Sequence, residues 1–234
     1  MTALDRREFV GAAALAVAAT ALATDASAQT AATGKAAAYD IKPLPFDPKS
    51  IKGLSEKILV SHHDNNYAGA VRRLNAIGTQ LASTDFSTAP GFNINGLKRE
   101  ELMAFNSMIL HELYFDSLGA GGAPAGALAD ALARDFGSVE RWRAEFSAMG
   151  KAEGGGSGWV LLTWSPRDKR LVNQWAADHT GNLAGGRPIL ALDMYEHAYH
   201  MDYGAGAAGY VDAFMAAIRW DNAAGLFDRY SRTA

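Results

Sequence analysis

The chain has six histidines, at positions 62, 63, 111, 179, 197 and 200, and no cysteine. Without cysteine there are no disulfides, thiolate zinc sites or iron–sulfur ligands, so a metal can be held only by histidine and carboxylate groups. Asp193 and His197 sit in the run Asp-Met-Tyr-Glu-His-Ala-Tyr-His, 193–200. If a helix begins near Glu196, carboxylate and imidazole converge from a strand end and a first helical turn. If the segment is already helical, the two share one face. Either way they are half of a first-row metal site. The spacing alone is common by chance. His62 and His111 lie in apolar helical runs, where a histidine is either a satisfied core residue or a ligand. Their distribution is more informative: one candidate on each of two long helices, and a pair after a strand.

Other chemistries lack their motifs. There is no phosphate-binding loop, dinucleotide fingerprint, nucleophile elbow or H-E-x-x-H. The glycine run 154–158 precedes a strand rather than a helix, so it offers no helix N-terminus to a phosphate. It reads instead as a turn that lets backbones approach.

The elements that must position these residues follow from periodicity. Pro43 to Pro48 is an extended lead-in. Ser55 and Glu56 mark a helix start, with Ile58, Leu59, His62, Tyr67, Ala70, Val71 and Leu74 at helical spacing as far as Ile77. Gly78 to Asn95 reads as a loop. Leu97 to Leu118 is a second helix, with Leu102, Phe105, Ile109, Leu113 and Leu118 expected along its packed side. Gly126–Phe136 and Val139–Lys151 are shorter helices, the second capped by Ser138. Trp159–Trp164, Arg170–Trp175 and Pro188–Leu192 read as strands, the first two a hairpin. Helices over Tyr210–Ile218 and Asn222–Tyr230 close the chain. The expected fold is α+β: an N-terminal helical hairpin over 43–120, then a C-terminal α/β part, 121–234, with a three-stranded antiparallel sheet flanked by helices.

With 234 residues, 49% apolar residues and 20% charged ones, the chain has the composition of a globular protein. A formal net charge of -3 gives no nucleic-acid footprint. The first 28 residues read as an export signal. Arg6-Arg7 precedes an apolar stretch from Gly11 to Ala23, and Ala26-Ser27-Ala28 offers a cleavage site before Gln29. The pattern resembles a twin-arginine signal and implies a periplasmic mature protein with no membrane contact. Residues 29–42 read as a linker.

Seven short motifs follow in order: Leu44-Pro-Phe46, Ser61-His-His63 with Leu74-Asn75, His111-Glu-Leu-Tyr-Phe115, Asp135-Phe-Gly-Ser138, Gly156-Ser-Gly-Trp159, Asp193 to Tyr199, and Arg219-Trp-Asp221. In order and spacing they resemble the iron/manganese superoxide dismutases, from about Pro43 to Tyr230. The resemblance implies that His62, His111, Asp193 and His197 bind one iron or manganese ion per subunit. It implies the disproportionation of superoxide to dioxygen and hydrogen peroxide. It also implies a homodimer in which Glu196 pairs with the other subunit's ligand histidine; the plainer reading of Glu196 is a solvated first-turn residue.

The chain departs from the family pattern around the ligands. Asn66 and Ala70 stand at the gateway positions where His and Tyr are usual. Tyr195 replaces a Trp, Phe115 replaces a Trp, and His200 replaces a Tyr that reaches across the dimer to the gateway. Asn66 and His200 differ together, which could restore a donor–acceptor pair. The resemblance gives His179 the role of hydrogen-bonding the metal's solvent ligand, against a surface histidine in a turn. Trp159 lines the metal pocket or simply fills the core, and His63 is structural. The loop 204–209 lacks the arginine usual near the funnel. Two alternatives share the ligands: a non-enzymatic or differently active metal-holding member of the fold, and a hydrolytic zinc site, which lacks a spare glutamate as base.

Overall fold

Ser55 opens the first helix: its hydroxyl accepts the Ile58 N–H at 3.1 Å, and both its N–H and its O–H donate to the carboxylate of Asp202 at 2.7 Å. The helix runs as α1 (Glu56–Ser61), a π-helical stretch (His62–Tyr67) and α2 (Ala68–Ala82). The seven residues read as its packed side are all buried. This computed structural model describes residues 34–232, so the expected export signal lies outside the described residues. Of the expected linker, residues 34–42 are described and are not free of the fold. Tyr39 exchanges two hydrogen bonds of 2.9 Å with the Asn75 carboxamide, and Lys42 N–H donates to the Tyr67 hydroxyl at 3.0 Å. Pro48 starts a short 3-10 turn, Pro48–Ser50, where its missing N–H is not needed.

The second helix, α3, spans Gly91–Asp116. The loop expected over 78–95 therefore shrinks to residues 83–90, because α2 continues past Gly78 and α3 begins at Gly91. So short a connection folds the two helices back on each other as a hairpin. The packed side of the second helix differs in part from expectation. Leu113 and Leu118 are buried as expected, but Leu102, Phe105 and Ile109 are exposed, and Ala104, Ser107, Met108, His111, Tyr114 and Phe115 are buried.

Beyond the hairpin come α4 (Gly126–Phe136) and α5 (Val139–Glu153), with Ser138 capping α5 through the Arg141 N–H. Strands β1 (Trp159–Ser165), β2 (Arg170–Ala176) and β3 (Arg187–Asp193) form an antiparallel sheet in the order β2-β1-β3. Every residue of β1 is buried, as its unbroken apolar run requires of a central strand covered on both faces. Pro188 is on an edge strand, where it breaks no inner ladder, and the β1–β3 register shifts beside it, between Leu162 and Thr163. After β3 follow a 3-10 turn (Glu196–Ala198), α6 (His200–Tyr203), α7 (Ala207–Ala217) and α8 (Trp220–Arg232). The fold is the expected α+β arrangement of a helical hairpin and a helix-flanked three-stranded sheet.

Candidate metal centre

Four elements deliver one side chain each to a single buried point. His62 heads the π-helical stretch, where the Ala68 N–H reaches back five residues to the His63 carbonyl; such widened turns recur at functional positions. His111 comes from α3, Asp193 from the last position of β3, and His197 from the 3-10 turn after it. Of the two geometries open for Asp193 and His197, the structure takes the strand end plus helical turn. The Asp193 Oδ2 atom lies 3.1 Å from His62 Nε2, 3.2 Å from His197 Nε2 and 3.6 Å from His111 Nε2. The four donor atoms all fall within 4.8 Å of one another.

The hydrogen bonds show why this point suits a cation. His111 Nδ1 is 2.6 Å from the Ser107 carbonyl, which can only accept, so Nδ1 carries the proton. Nε2 is then a bare lone pair, buried and without a hydrogen-bond partner, facing a carboxylate oxygen. Two acceptors facing each other in a dry site are unfavourable unless a positive charge lies between them. The other Asp193 oxygen is fixed by the Tyr195 N–H at 2.9 Å. Three imidazoles and one carboxylate suit a first-row transition metal better than magnesium or calcium.

Burial sets the protonation of the set. It lowers the pKa of His62, and it lowers that of His111 to about 3 against the pull of Asp193. Burial alone would raise the Asp193 carboxyl, but the charge and hydrogen bond of His197, with the hydrogen bond of His62, outweigh it and hold the group well below the carboxylate range. The ligand set is thus a carboxylate beside two imidazoles that burial keeps neutral, with the Nε2 lone pair of His111 already bare. A stability prediction follows for the metal-free protein. His111 takes its proton near pH 6.5 in the unfolded chain and near pH 3 in the folded one, so acid favours unfolding. Stability should hold above pH 6.5 and fall between there and pH 3, by up to about 1.4 kcal/mol per pH unit for each such histidine. Urea midpoints at pH 7.5, 6, 5 and 4 test it, and a flat series contradicts it.

Around the ligands the structure brings together the residues expected there. Trp159, fully buried, sets its ring edge-on to His111 at 5.3 Å and donates its indole N–H to His179 Nδ1 at 3.0 Å. Indole N–H only donates, so the proton of neutral His179 is on Nε2. Burial lowers the pKa of His179 and keeps the ring neutral. Tyr195 stacks between His179 (4.8 Å, 16°) and His197 (5.3 Å, 18°). Burial, then the Asp193 and Asp178 charges, raise its hydroxyl to about 12. Asn66 and Ala70 line a cavity that also reaches His179, Tyr195 and Ser107. Phe115 packs 5.1 Å from His62. His63 does not join the ligands; its ring bonds Asp64 and the Lys42 carbonyl, both at 2.7 Å. Glu196 and His200 are exposed.

Three contributors escaped the sequence reading. Ser107 orients His111 through its backbone carbonyl, which any residue possesses. Tyr210 donates to the Asp193 carbonyl at 2.7 Å from a helix 17 positions later. Asn106 holds the loop that carries His179 by donating to the His179 carbonyl at 2.6 Å. Ser107, four residues before a candidate ligand on one helix, was the only one with a readable signal.

Known proteins resemble this chain in sequence. The family model described as "Iron/manganese superoxide dismutases, C-terminal domain" matches residues 124–225. The chain is 69% identical over 189 residues to a superoxide dismutase (Fe) of Cupriavidus metallidurans, covering 81% of this chain and 96% of that protein. It is 37% identical over 195 residues to superoxide dismutase (Mn) 1 of Halobacterium salinarum, covering 82% and 96%. With a superoxide dismutase (Fe) of Aquifex pyrophilus it shares 34% over 182 residues, covering 74% and 84%. Relatives named for iron and for manganese thus align along nearly their whole length with a chain whose three imidazoles and one carboxylate meet at one buried point, and the chain belongs to the iron/manganese superoxide dismutase family.

Proposed function

We propose that this chain is a superoxide dismutase that converts two superoxide anions and two protons into dioxygen and hydrogen peroxide, with His62, His111, Asp193 and His197 as the ligands of one iron or manganese ion. The observation that carries the reading is the partnerless Nε2 of His111 facing Asp193 beside two further imidazoles. Bound iron or manganese supplies one-electron chemistry by alternating between trivalent and divalent forms.

The chain's own residues do the rest. Asp193 and His62 are buried and exclude bulk water, so the charge of the site is felt at full strength by an anion. The Trp159 indole fixes His179 as the Nε2–H tautomer, which places a proton donor at the inner end of the cavity next to His111. Tyr195 keeps its proton at neutral pH and holds the His179 ring by stacking. Superoxide arrives through the cavity between Asn66, Ala70 and His179.

The decisive experiment is inhibition of superoxide-dependent cytochrome c reduction by protein of measured iron and manganese content. Activity proportional to metal content is expected. A metal-replete protein without activity would leave a metal-holding member of the fold instead.

The same proposal covers assembly and address. Exposed Glu196 and His200 flank the ligand turn and offer a second copy a charged and a hydrogen-bonding contact, with Asn66 as the acceptor or donor for His200. Sedimentation should show a dimer that His200→Phe weakens. Arg6-Arg7 and the Ala26-Ser27-Ala28 site support twin-arginine export to the periplasm, and the N-terminus of the protein released by osmotic shock should be Gln29.

A further inference from the structure

Three of the chain's eight tyrosines lead from a ligand histidine to the surface. The Tyr114 ring lies 5.0 Å from that of His62, with the planes tilted by 44°. Its hydroxyl is 3.4 Å from that of Tyr210 on α7. The Tyr210 ring stacks on Tyr199 at 5.3 Å and lies 6.2 Å from that of Tyr203, the last residue of α6. Tyr114 and Tyr210 are fully buried, and Tyr203 is partly exposed. Packing does not account for all of these phenols. The Tyr210 hydroxyl donates to the Asp193 carbonyl at 2.7 Å, and that of Tyr199 accepts the Gly155 N–H at 3.1 Å. For the Tyr114 hydroxyl the only hydrogen-bond partner among the described residues is Tyr210, at the long distance already given. A phenylalanine would fill nearly the same volume there with less desolvation. What the hydroxyl adds is a ring that gives up an electron far more readily.

We propose that Tyr114, Tyr210 and Tyr203 carry oxidising equivalents out of the metal centre to the surface and so spare the ligands from the product of the reaction. The proposal rests on the reading of the centre as a dismutase, which makes hydrogen peroxide beside a divalent ion. Peroxide that takes one electron from such an ion splits into hydroxide and a hydroxyl radical. The radical takes one electron from Tyr114 across the His62 ring and becomes a second hydroxide. Tyr210 and then Tyr203 refill the Tyr114 ring in turn. A phenol that has lost an electron must also shed its proton to rest as a neutral radical. Tyr114 and Tyr210 face only hydroxyl and carbonyl oxygens, which are poor bases, whereas Tyr203 reaches solvent. The proton therefore leaves from Tyr203 to water, where it neutralises the hydroxide, and the tyrosyl radical stays on Tyr203. Superoxide is itself the reductant that closes the cycle. One superoxide gives its electron to the radical, a proton restores the phenol, and dioxygen leaves.

Iron-loaded protein treated with hydrogen peroxide and a nitroso spin trap tests the route, with radicals followed by electron paramagnetic resonance and adducts mapped by peptide mass spectrometry. The adduct is expected at Tyr203 and not at Tyr39, which is also partly exposed but packs against Phe105 away from the three tyrosines. Tyr114→Phe keeps the ring and removes only the hydroxyl. It should lower the Tyr203 adduct roughly tenfold and raise oxidation of Trp159 and the ligand histidines. Tyr203→Phe should leave the initial dismutase activity unchanged and speed the loss of iron in peroxide several-fold. Equal labelling of Tyr39 and Tyr203 overturns the proposal, because a radical free in solution would give that result. So does a Tyr203 adduct that survives Tyr114→Phe. If Tyr114→Phe does not fold, the rate of iron loss from Tyr203→Phe decides the matter, and an unchanged rate overturns the proposal. Failure of the dismutase reading would show separately, as missing activity in iron-loaded protein that has met no peroxide.

Discussion

Asp193→Asn is expected to abolish both metal retention and activity and to make the metal-free protein less stable as well. The Asp193 carboxylate is fully buried, and one of its oxygens is the atom around which all three imidazole nitrogens gather. An amide is nearly the same size but carries no charge, and its NH2 is a donor where a cation needs a lone pair. Loss of a residue that only orients a ligand typically lowers metal affinity 10–100-fold; loss of the charged ligand should exceed about 100-fold. The metal-free protein should lose stability too. Contacts with His197 and His62 hold the Asp193 carboxyl below the ordinary range, so at neutral pH the carboxylate favours the folded state and an amide forfeits that contribution. Metal should raise the melting temperature of the unaltered protein, because the four ligands meet only in the folded form. In the variant, melts with iron or manganese and melts with chelator should superimpose. Elemental analysis settles the first half: near-stoichiometric metal in Asp193→Asn would remove Asp193 from the ligand set.

The site was legible in the sequence because its ligands are of rare types. Six histidines, no cysteine and one Asp-x-x-x-His leave few ways to build a metal centre. The strands were legible for a similar reason: Trp159 to Trp164 is an apolar run bounded by glycine and by Ser165-Pro166, and it became the central strand. What failed was part of the packed side of α3, since Leu113 and Leu118 are buried as expected and three others are not. Leu102, Phe105 and Ile109 are among the largest apolar residues of that helix, and a reading by hydrophobicity chooses their face. The structure buries Ala104, Ser107, Met108, His111, Tyr114 and Phe115 instead, at spacings of three and four that mark a helix face equally well. That face must carry a ligand histidine and the serine whose carbonyl orients it, so the contrast between buried and exposed sides is low. The loop over 78–95 was read too long for a related reason. Gly78 and Gly91 look like breakers, yet Gly78 sits inside α2, where a glycine is tolerated for about 1 kcal/mol, and Gly91 opens α3. The π-helical stretch at His62 has no sequence signature at all, because one added residue per turn leaves the apolar spacing almost unchanged over six residues.

The glycine run before β1 supplies the largest expected effect on folding. Gly158→Ala should destabilise the protein by on the order of 3 kcal/mol or more, where Gly155→Ala should lose only about 1–2 kcal/mol. Both glycines have positive φ, 146° and 87°, so each substitution meets backbone strain. Only Gly158 is also crowded. A methyl group there would lie 2.5 Å from the Ala176 carbonyl oxygen and 2.7 Å from Glu153 Oε1, while at Gly155 nothing lies within 4 Å. The Ala176 oxygen cannot yield, since Ala176 pairs with Trp159 in the sheet. Nor can Glu153 move freely, because its carboxyl oxygens are buried and without a partner, and burial followed by the Asp193 charge raises its pKa to about 8. The disturbance should reach the metal. The Gly158 carbonyl accepts the Met194 N–H at 3.0 Å, and the next residue, Trp159, pairs with Asp193 and fixes the tautomer of His179. At about 2–4 °C per kcal/mol for a chain of this size, Gly158→Ala should melt at least roughly 6–12 °C lower and Gly155→Ala about 2–8 °C lower. Calorimetry of both variants with metal content measured in parallel tests the difference. Equal shifts would mean that strain at positive φ, rather than close backbone contact, is what glycine relieves at this corner of the site.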